Sequence, residues 1–447
     1  MTMKKQNLQY MKWIVLLFIF NFQFSIFDCS AQRVSLDECL EKALESNFSI
    51  KIIRNEARMD KNNLNYSTFL PTLEGTVKQT QTRNDTKTEN SAGEVNKMSD
   101  VKTDNYTAGV ALNWRIFDGL EMFTTHEKQK ELLAMGELAV QQAVENLILN
   151  VSAAYYNVLV QHHKLMAARH SLELSNERYD EARVRYKIGN RSGLEAQQAK
   201  IDLNTDSSTY VRQKEALKSA YITLNKLMNT DLQMVNYVQD TILLGPQLAL
   251  GTLEQKTLAG NTTLLIAKKD QKISALDLKN ARAVLFPTLD FNSGYNYNKT
   301  DTPSSSTTLN RSNGFYWGFS LNVPIFSRLQ NRTKIKNAKL ELENTELSYQ
   351  EAEKETLGDL ALMYNSYENN LLMVNFEIES ASVAEANLDA ALEKYKIGSL
   401  SGIEFREFQR SYIDAVDRKL SAIYQAKVSE LSLLLLSGDI RGSFVSE

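Results

Sequence analysis

Tyr186-Lys187-Ile188-Gly189 recurs as Tyr395-Lys396-Ile397-Gly398, and this pair of tetrapeptides decides how the chain is read. Each glycine ends a long periodic segment, at the position where the left-handed backbone that closes a helix favours glycine. Gly193 and Gly402 follow four residues later, and a new periodic segment starts at each. The spacing predicts two helical hairpins, each with a tight tip.

Upstream of each tip the apolar residues repeat every seven positions. Val144, Val151, Val158, Leu165, Leu172, Tyr179 and Tyr186 form the first series, and Leu360, Tyr367, Val374, Ala381, Leu388 and Tyr395 the second. This is a coiled-coil seam. Small companions three residues on, Ala154, Ala168, Ser175, Ala182, Ala384 and Ala391, allow neighbouring helices to approach closely. A helix from Leu120 to Lys187 extends roughly 100 Å at ~1.5 Å per residue, longer than a compact domain allows. It must run along a rod or tube.

The duplication continues further out. Ile116-Phe117 matches Ile325-Phe326 at the same offset of 209 as the tips, and Phe69-Leu70-Pro71-Thr72-Leu73 matches Leu285-Phe286-Pro287-Thr288-Leu289 at 216. Each half reads as helix, strand, polar loop, strand, very long helix, turn, helix. The polar stretches Thr80 to Asp104 and Lys299 to Asn313 are expected to be exposed loops. Repeat boundaries fall at 32–230 and 253–440, joined by a linker over 231–252 and followed by a tail over 441–447. Strands are expected near 72–82, 105–115, 288–298 and 314–324. Helices are expected near 119–188, 193–229, 327–397 and 402–437.

The strands alternate. Phe315, Trp317, Phe319, Leu321 and Val323 share one face with Tyr316, Gly318, Ser320 and Asn322 opposite. Leu289, Phe291, Tyr295 and Tyr297 repeat the pattern, as do Tyr106, Ala108, Val110, Leu112 and Trp114. Such alternation suits a lipid-facing barrel, and equally a sheet covered on one face by helices. Four strands cannot enclose water, since even eight make an interior filled mainly by side chains. A barrel reading therefore requires several copies, and three copies with twelve strands leave a passage more readily than two with eight.

Composition narrows the class. Lys4, Lys5 and Lys12, the apolar run Trp13 to Phe27 and the small residues before Gln32 read as a signal peptide over 1–31, with acylation of Cys29 as the alternative. Setting that segment aside removes three of 51 basic and one of 54 acidic residues, leaving a net charge of −5 and no invitation to nucleic acid. Cys39 is then the only cysteine, so no internal disulfide forms. No later stretch has 18 consecutive apolar residues, so any crossing of a membrane must be by strands.

No nucleophile, base and acid suggest catalysis, and no cofactor motif appears. His126, His162, His163 and His170 all fall on one long helix. His163 and His170, two turns apart, are read as exposed polar positions before a shared metal site.

The ordered set of duplicated motifs, over residues 36 to about 440, resembles the TolC family of outer-membrane efflux proteins. The resemblance implies a mainly α fold with a small transmembrane β part. Four strands per chain would contribute to a 12-stranded trimeric β-barrel continuous with an antiparallel α-helical barrel, lodged in the outer membrane and reaching into the periplasm. It implies an exit duct opened at its helical tip by a periplasmic adaptor and an inner-membrane pump. A pore-less periplasmic coiled-coil scaffold is the alternative. In the family two acids after the second tip ring the entrance, and Glu404 and Glu407 match them. Glu195 matches Glu404 in the first half, whereas Gln198 replaces the second acid. Tyr186 and Tyr395 match aromatic positions beside the gate. Leu400 stands where the family member with the best-understood gate has an arginine, and Arg191 stands at the equivalent place in the first half. From the residues alone, Glu404 and Glu407 also fit a solvated face neutralised by Arg406 and Arg410.

Overall fold

The computed structural model describes residues 34–89, 91–189, 193–235, 238, 241–303 and 308–442. The signal peptide expected over 1–31, Arg191 and most of the C-terminal tail lie outside the described residues.

Two halves repeat one element order. The first runs α1 (Leu36–Ser46), α2 (Phe48–Asn63), β1 (Thr72–Glu89), β2 (Val95–Phe117), α3 (Glu121–Lys187) and α4 (Gly193–Met228). The second runs α5 (Leu250–Gly260), α6 (Thr262–Ala283), β3 (Thr288–Asp301), β4 (Leu309–Asn322), α7 (Gln330–Lys396) and α8 (Gly402–Leu436). Both long helices, α3 and α7, contain 67 residues.

The single opening helix expected in each half is broken in two, and asparagine does the breaking. The Asn47 side-chain oxygen accepts from the Ser49 N–H at 2.9 Å, and that of Asn261 from the Leu264 N–H at 3.2 Å, each starting a new helix. Their amide groups donate to carbonyls at the ends of distant helices, Asn47 to Leu227 of α4 at 3.0 Å and Asn261 to Leu436 of α8 at 2.9 Å. Thus α2 takes over from α4, and α6 from α8, in flanking the long helices.

In the tip-ward half of the molecule α3 packs against α4 on one side and α8 on the other, and α8 packs against α7. The wall therefore reads α4, α3, α8, α7, with α4 and α7 at its edges. All six predicted seam residues of α7, from Leu360 to Tyr395, are buried. In α3 the seam holds at Val151 and Val158, then drifts. Leu165, Leu172 and Tyr179 are only half-buried, while Ala168, Ser175 and Ala182 take the buried positions. Small residues occupy the contact because α3 is flanked by two helices there.

The strands form one antiparallel sheet in the order β1-β2-β3-β4. Its register collects the apolar alternation onto a single face. Leu73, Leu112, Ser293 and Trp317 lie in one cross-strand row, and Gly75, Val110, Tyr295 and Phe315 in another. The opposite face carries rows such as Thr76, Gly109, Asn296, Gly314 and Lys78, Thr107, Asn298, Ser312. No helix packs extensively on either face among the described residues, so a helix-covered sheet is excluded. Leu73, Val77, Phe315, Trp317, Phe319 and Leu321 are each 61–72% exposed.

Between Thr80 and Asp104 the polar stretch expected as a loop is mostly β-ribbon. β1 and β2 stay paired out to Glu89 with Val95, although β2 leaves β3 beyond the Asp104 and Asp301 pair. Thr80, Thr82, Thr86 and Thr88 explain the difference, because β-branched residues suit a pleated strand while still marking exposure. The hairpin stands beyond the four-stranded sheet, and β3 and β4 likewise extend past their expected ends.

Leu360 is fully buried on the α7 seam. Leu360→Ala is expected to destabilise the fold by about 2–5 kcal/mol, read as a lowered unfolding midpoint in detergent.

Candidate functional site

The tips are built by helix termination. Gly398 takes φ +82°, its N–H donates to the Tyr395 carbonyl at 3.0 Å, and the Ser399 N–H reaches the Lys394 carbonyl at 2.9 Å. This two-bond closure satisfies the last carbonyls of α7. Gly189 matches Gly398 in conformation and in the first of these bonds, with φ +74° and a 3.0 Å bond to the Tyr186 carbonyl. A Cβ at either glycine would meet no atom within 4 Å, so backbone conformation, not space, requires glycine there.

After the second tip, Ser401 caps α8. The Glu404 N–H donates to the Ser401 hydroxyl at 3.2 Å, while the Glu404 carboxylate accepts from the Ser401 N–H at 2.9 Å. The Ser401 backbone N–H foremost, and the Ser401 hydroxyl after it, hold the exposed Glu404 carboxyl below its usual range. Glu407 is exposed on the same helix. Arg406 does not neutralise them. It turns inward and grips Asp206 through two bonds of 2.6 and 2.8 Å.

The two matching tyrosines have parted. Tyr186 is 54% exposed, with its ring against the first turn of α4 so that a Cβ on Gly193 would lie 3.0 Å from it. Tyr395 is 2% exposed. Its ring stacks on Phe405 at 5.3 Å, and the Arg185 guanidinium lies 5.3 Å from the ring centroid. Arg185 also donates to the Tyr395 and Lys396 carbonyls at 3.4 Å and pairs with Glu181 at 2.6 Å. An arginine of α3 thus supports the end of α7, while Leu400 packs beside Tyr395 and Phe405. Burial, with Glu181 nearby, pushes the Tyr395 phenol up.

Glu195 reaches the second tip: a Cβ on Gly402 would stand 3.4 Å from its carboxylate. The Arg178 guanidinium, 3% exposed, donates to the Gly402 carbonyl at 3.2 Å and pairs with Asp202. Deeper in the wall, Gln409 of α8 donates to the Ser171 carbonyl and hydroxyl at 2.8 Å and to the Ser175 hydroxyl at 2.9 Å. Ser175 in turn donates to Asp206 at 2.5 Å. One polar clamp therefore joins α3, α4 and α8, and every charged member has an opposite partner.

Sequence reasoning missed this clamp. Its signal was polar residues on the close-packed row of α3, where Ser171, Ser175 and Arg178 fall between Ala168 and Ala182. At the repeat offset, Arg178 corresponds to Asn387 and Asp206 to Ala415, so the second half has no equivalent.

His163 and His170 border one surface cleft with Glu385 of α7 and Tyr412 of α8. His163 and His170 are both exposed, and no cluster of three or more His, Cys, Asp or Glu suited to a metal occurs among the described residues. Partial desolvation of its ring, ahead of the nearby His162 and Lys419 charges, lowers the pKa of His163. Cys39 is buried among apolar residues, consistent with a packed thiol.

An uncovered sheet with one aromatic face and one polar face, continued by a long helical wall, defines a channel-forming protein of the outer membrane. The chain belongs to the outer membrane efflux protein family, whose sequence profile matches residues 39–230 and 253–439. It is 23% identical over 335 residues to the cation efflux system protein CusC of Escherichia coli K12, covering 71% of this chain and 70% of that one. It is 20% identical over 343 residues to Escherichia coli K12 outer membrane protein TolC, covering 73% and 68%. The CmeC outer membrane channel of Campylobacter jejuni superposes with a TM-score of 0.78 at 18% identity, covering 91% of this chain and 86% of that one. A pore-less scaffold is thereby set aside.

Arg406 and Asp206 are mostly buried partners, with side chains 17% and 10% exposed. Arg406→Ala is expected to destabilise by about 3 kcal/mol, since it leaves Asp206 charged and unpaired. The double change Arg406→Met with Asp206→Leu should recover much of that loss, as read by thermal unfolding in detergent.

Proposed function

We propose that three copies of this chain close a passive exit duct of a tripartite efflux or type I secretion system, opened at its helical tips by a periplasmic adaptor and an inner-membrane pump. The observation that carries the reading is edge matching. The sheet ends in β1 and β4, and the helical wall ends in α4 and α7, each edge lacking a neighbour of its own kind among the described residues. A ring made by joining unlike edges closes both layers together. Four strands from each of three copies give the twelve that leave a water-filled passage. The apolar face meets lipid and the polar face lines the lumen.

The helical tips act as the gate. Glu404 and Glu407, with Glu195, present carboxylates near an axis where three copies would concentrate them, favouring cations at the entrance. Crowding of like charges raises carboxyl pKa values, and the capping bonds of Glu404 oppose that rise. The clamp centred on Asp206 holds α8 against α3 and α4 in the closed tip. Opening requires those bonds to be exchanged for others, which the docking partners would supply.

Single-channel conductance in a planar bilayer tests the gate. Glu404→Gln with Glu407→Gln is expected to weaken cation selectivity severalfold. Glutamine keeps the helix cap, so a change in selectivity reports charge alone. Unchanged selectivity removes these residues from the entrance.

The sign of the pH effect also follows. The Glu404 carboxyl is held below the ordinary value of about 4.3, so its cap is fully present above that range and is lost as pH falls through the lowered value. Protection of the Ser401 amide hydrogen, taken relative to its intrinsic exchange rate at each pH, should fall only in that acid window, and loss of protection beginning near neutral pH would contradict the assignment.

A further inference from the structure

The aromatic face of the sheet changes character at its hairpin end, the end remote from the helices. From Leu289 to Tyr297 that face spans about 27 Å along β3 at ~3.4 Å per residue, close to the apolar band of about 25 Å that a barrel presents to lipid. The next row on the same face is Gln79, Tyr106, Lys299 and Arg311, which sets two cations directly opposite each other on β3 and β4. Two same-face rows further out, Arg83 stands opposite Lys102. The other face carries no charge at this height, where Thr80, Asn105, Thr300 and Asn310 form one row and Thr82 faces Thr103 in another. Cations therefore collect on the side that meets lipid in the proposed trimer, not on the lumen side.

Like charges directly opposite in a sheet are destabilising. Arg83 and Lys102 are relieved by acids, Asp100 at 3.8 Å and Asp104 at 3.2 Å. Lys299 and Arg311 form no ion pair among the described residues. The Asp104 charge acts on Lys299 from beyond ion-pair distance, and Arg311 is exposed. Lys299 lines a cleft of about 420 Å³ with Tyr106, Tyr297, Gln79 and the acids Asp104 and Asp301, so the cationic end of this region is the Lys299 and Arg311 pair. The two tyrosine rings meet edge to face at 6.3 Å. Tyrosines at such a boundary sit at headgroup depth, and a guanidinium beside an ammonium suits a phosphate, which arginine can hold through two bonds.

We infer that Lys299 and Arg311 bind the phosphate of an outer-leaflet lipid headgroup, with Tyr106 and Tyr297 against the adjoining part of that headgroup. An anion between the two cations replaces their repulsion by two attractions. The inference rests on the reading of the aromatic face as the lipid-facing one.

Native mass spectrometry of the assembled protein, titrated with lipid A and with lipid A stripped of its phosphates, tests the site. The wild type is expected to hold the phosphorylated lipid about tenfold more tightly, the worth of one bond to a charged group. Lys299→Gln with Arg311→Gln should remove that preference. Lys78→Gln, which deletes a cation on the opposite face, should leave it unchanged. Equal affinity for the two lipids overturns the inference and returns both residues to cations that merely snorkel to water. A preference that survives the double change overturns it too, as does an equal loss in Lys78→Gln, which would report overall charge. Inorganic phosphate retained without lipid would make this a free-anion site and contradict the lipid assignment. The same spectra keep the two readings apart, because loss of the three-chain mass speaks against closure of the barrel, whereas an intact three-chain particle without the lipid preference speaks against this site alone.

Discussion

Unpaired strand edges impose the constraint from which the rest of this molecule follows. A backbone N–H or C=O facing lipid without a partner costs several kcal/mol, so a sheet in a membrane must close. Among the described residues the sheet has four strands, with β1 and β4 each open on one side. Its apolar face is exposed, and among the described residues no helix packs extensively on it. The helical wall has the same incompleteness, with α4 and α7 at its margins. Exposed apolar residues stud those margins: Ile201 and Val211 on α4, Leu340, Leu347, Leu362 and Phe376 on α7. Neither layer is finished alone, and in the proposed trimer one ring of copies finishes both.

Duplication gives the halves a common scaffold, and divergence gives the tip its direction. The backbone solutions are shared: asparagine between the short helices, glycine in the left-handed conformation at each tip, and two long helices of equal length. The side-chain chemistry is not. Arg178 and Asp206 have Asn387 and Ala415 as counterparts, and the buried Tyr395 has the exposed Tyr186. The joint of α8 with α3 and α4 is consequently tied by a polar and charged network within one chain. Its counterpart between α4 and α7 would be made between chains.

Much of the architecture could be read in the sequence because periodicity reports burial directly. The seam of α7 and the aromatic alternation of β4 each state which face is apolar, and the structure places them so. Two features were hidden. The Thr80 to Asp104 stretch is polar because it is exposed, and polarity alone does not distinguish a solvated ribbon from a loop. The clamp was hidden for a different reason: Arg178, Asp206, Arg406 and Gln409 come from three helices, and no spacing along one helix announces that they meet. Glu404 was legible by position, but its capping bond with Ser401 appears only when the helix start is fixed.

The central claim is that three chains jointly close one sheet and one tube. Native mass spectrometry of the protein released from outer-membrane detergent micelles tests it most directly. The account predicts a single species of three chains that persists as detergent is stripped away. A stable particle of one or two chains, with its strands intact, would contradict it.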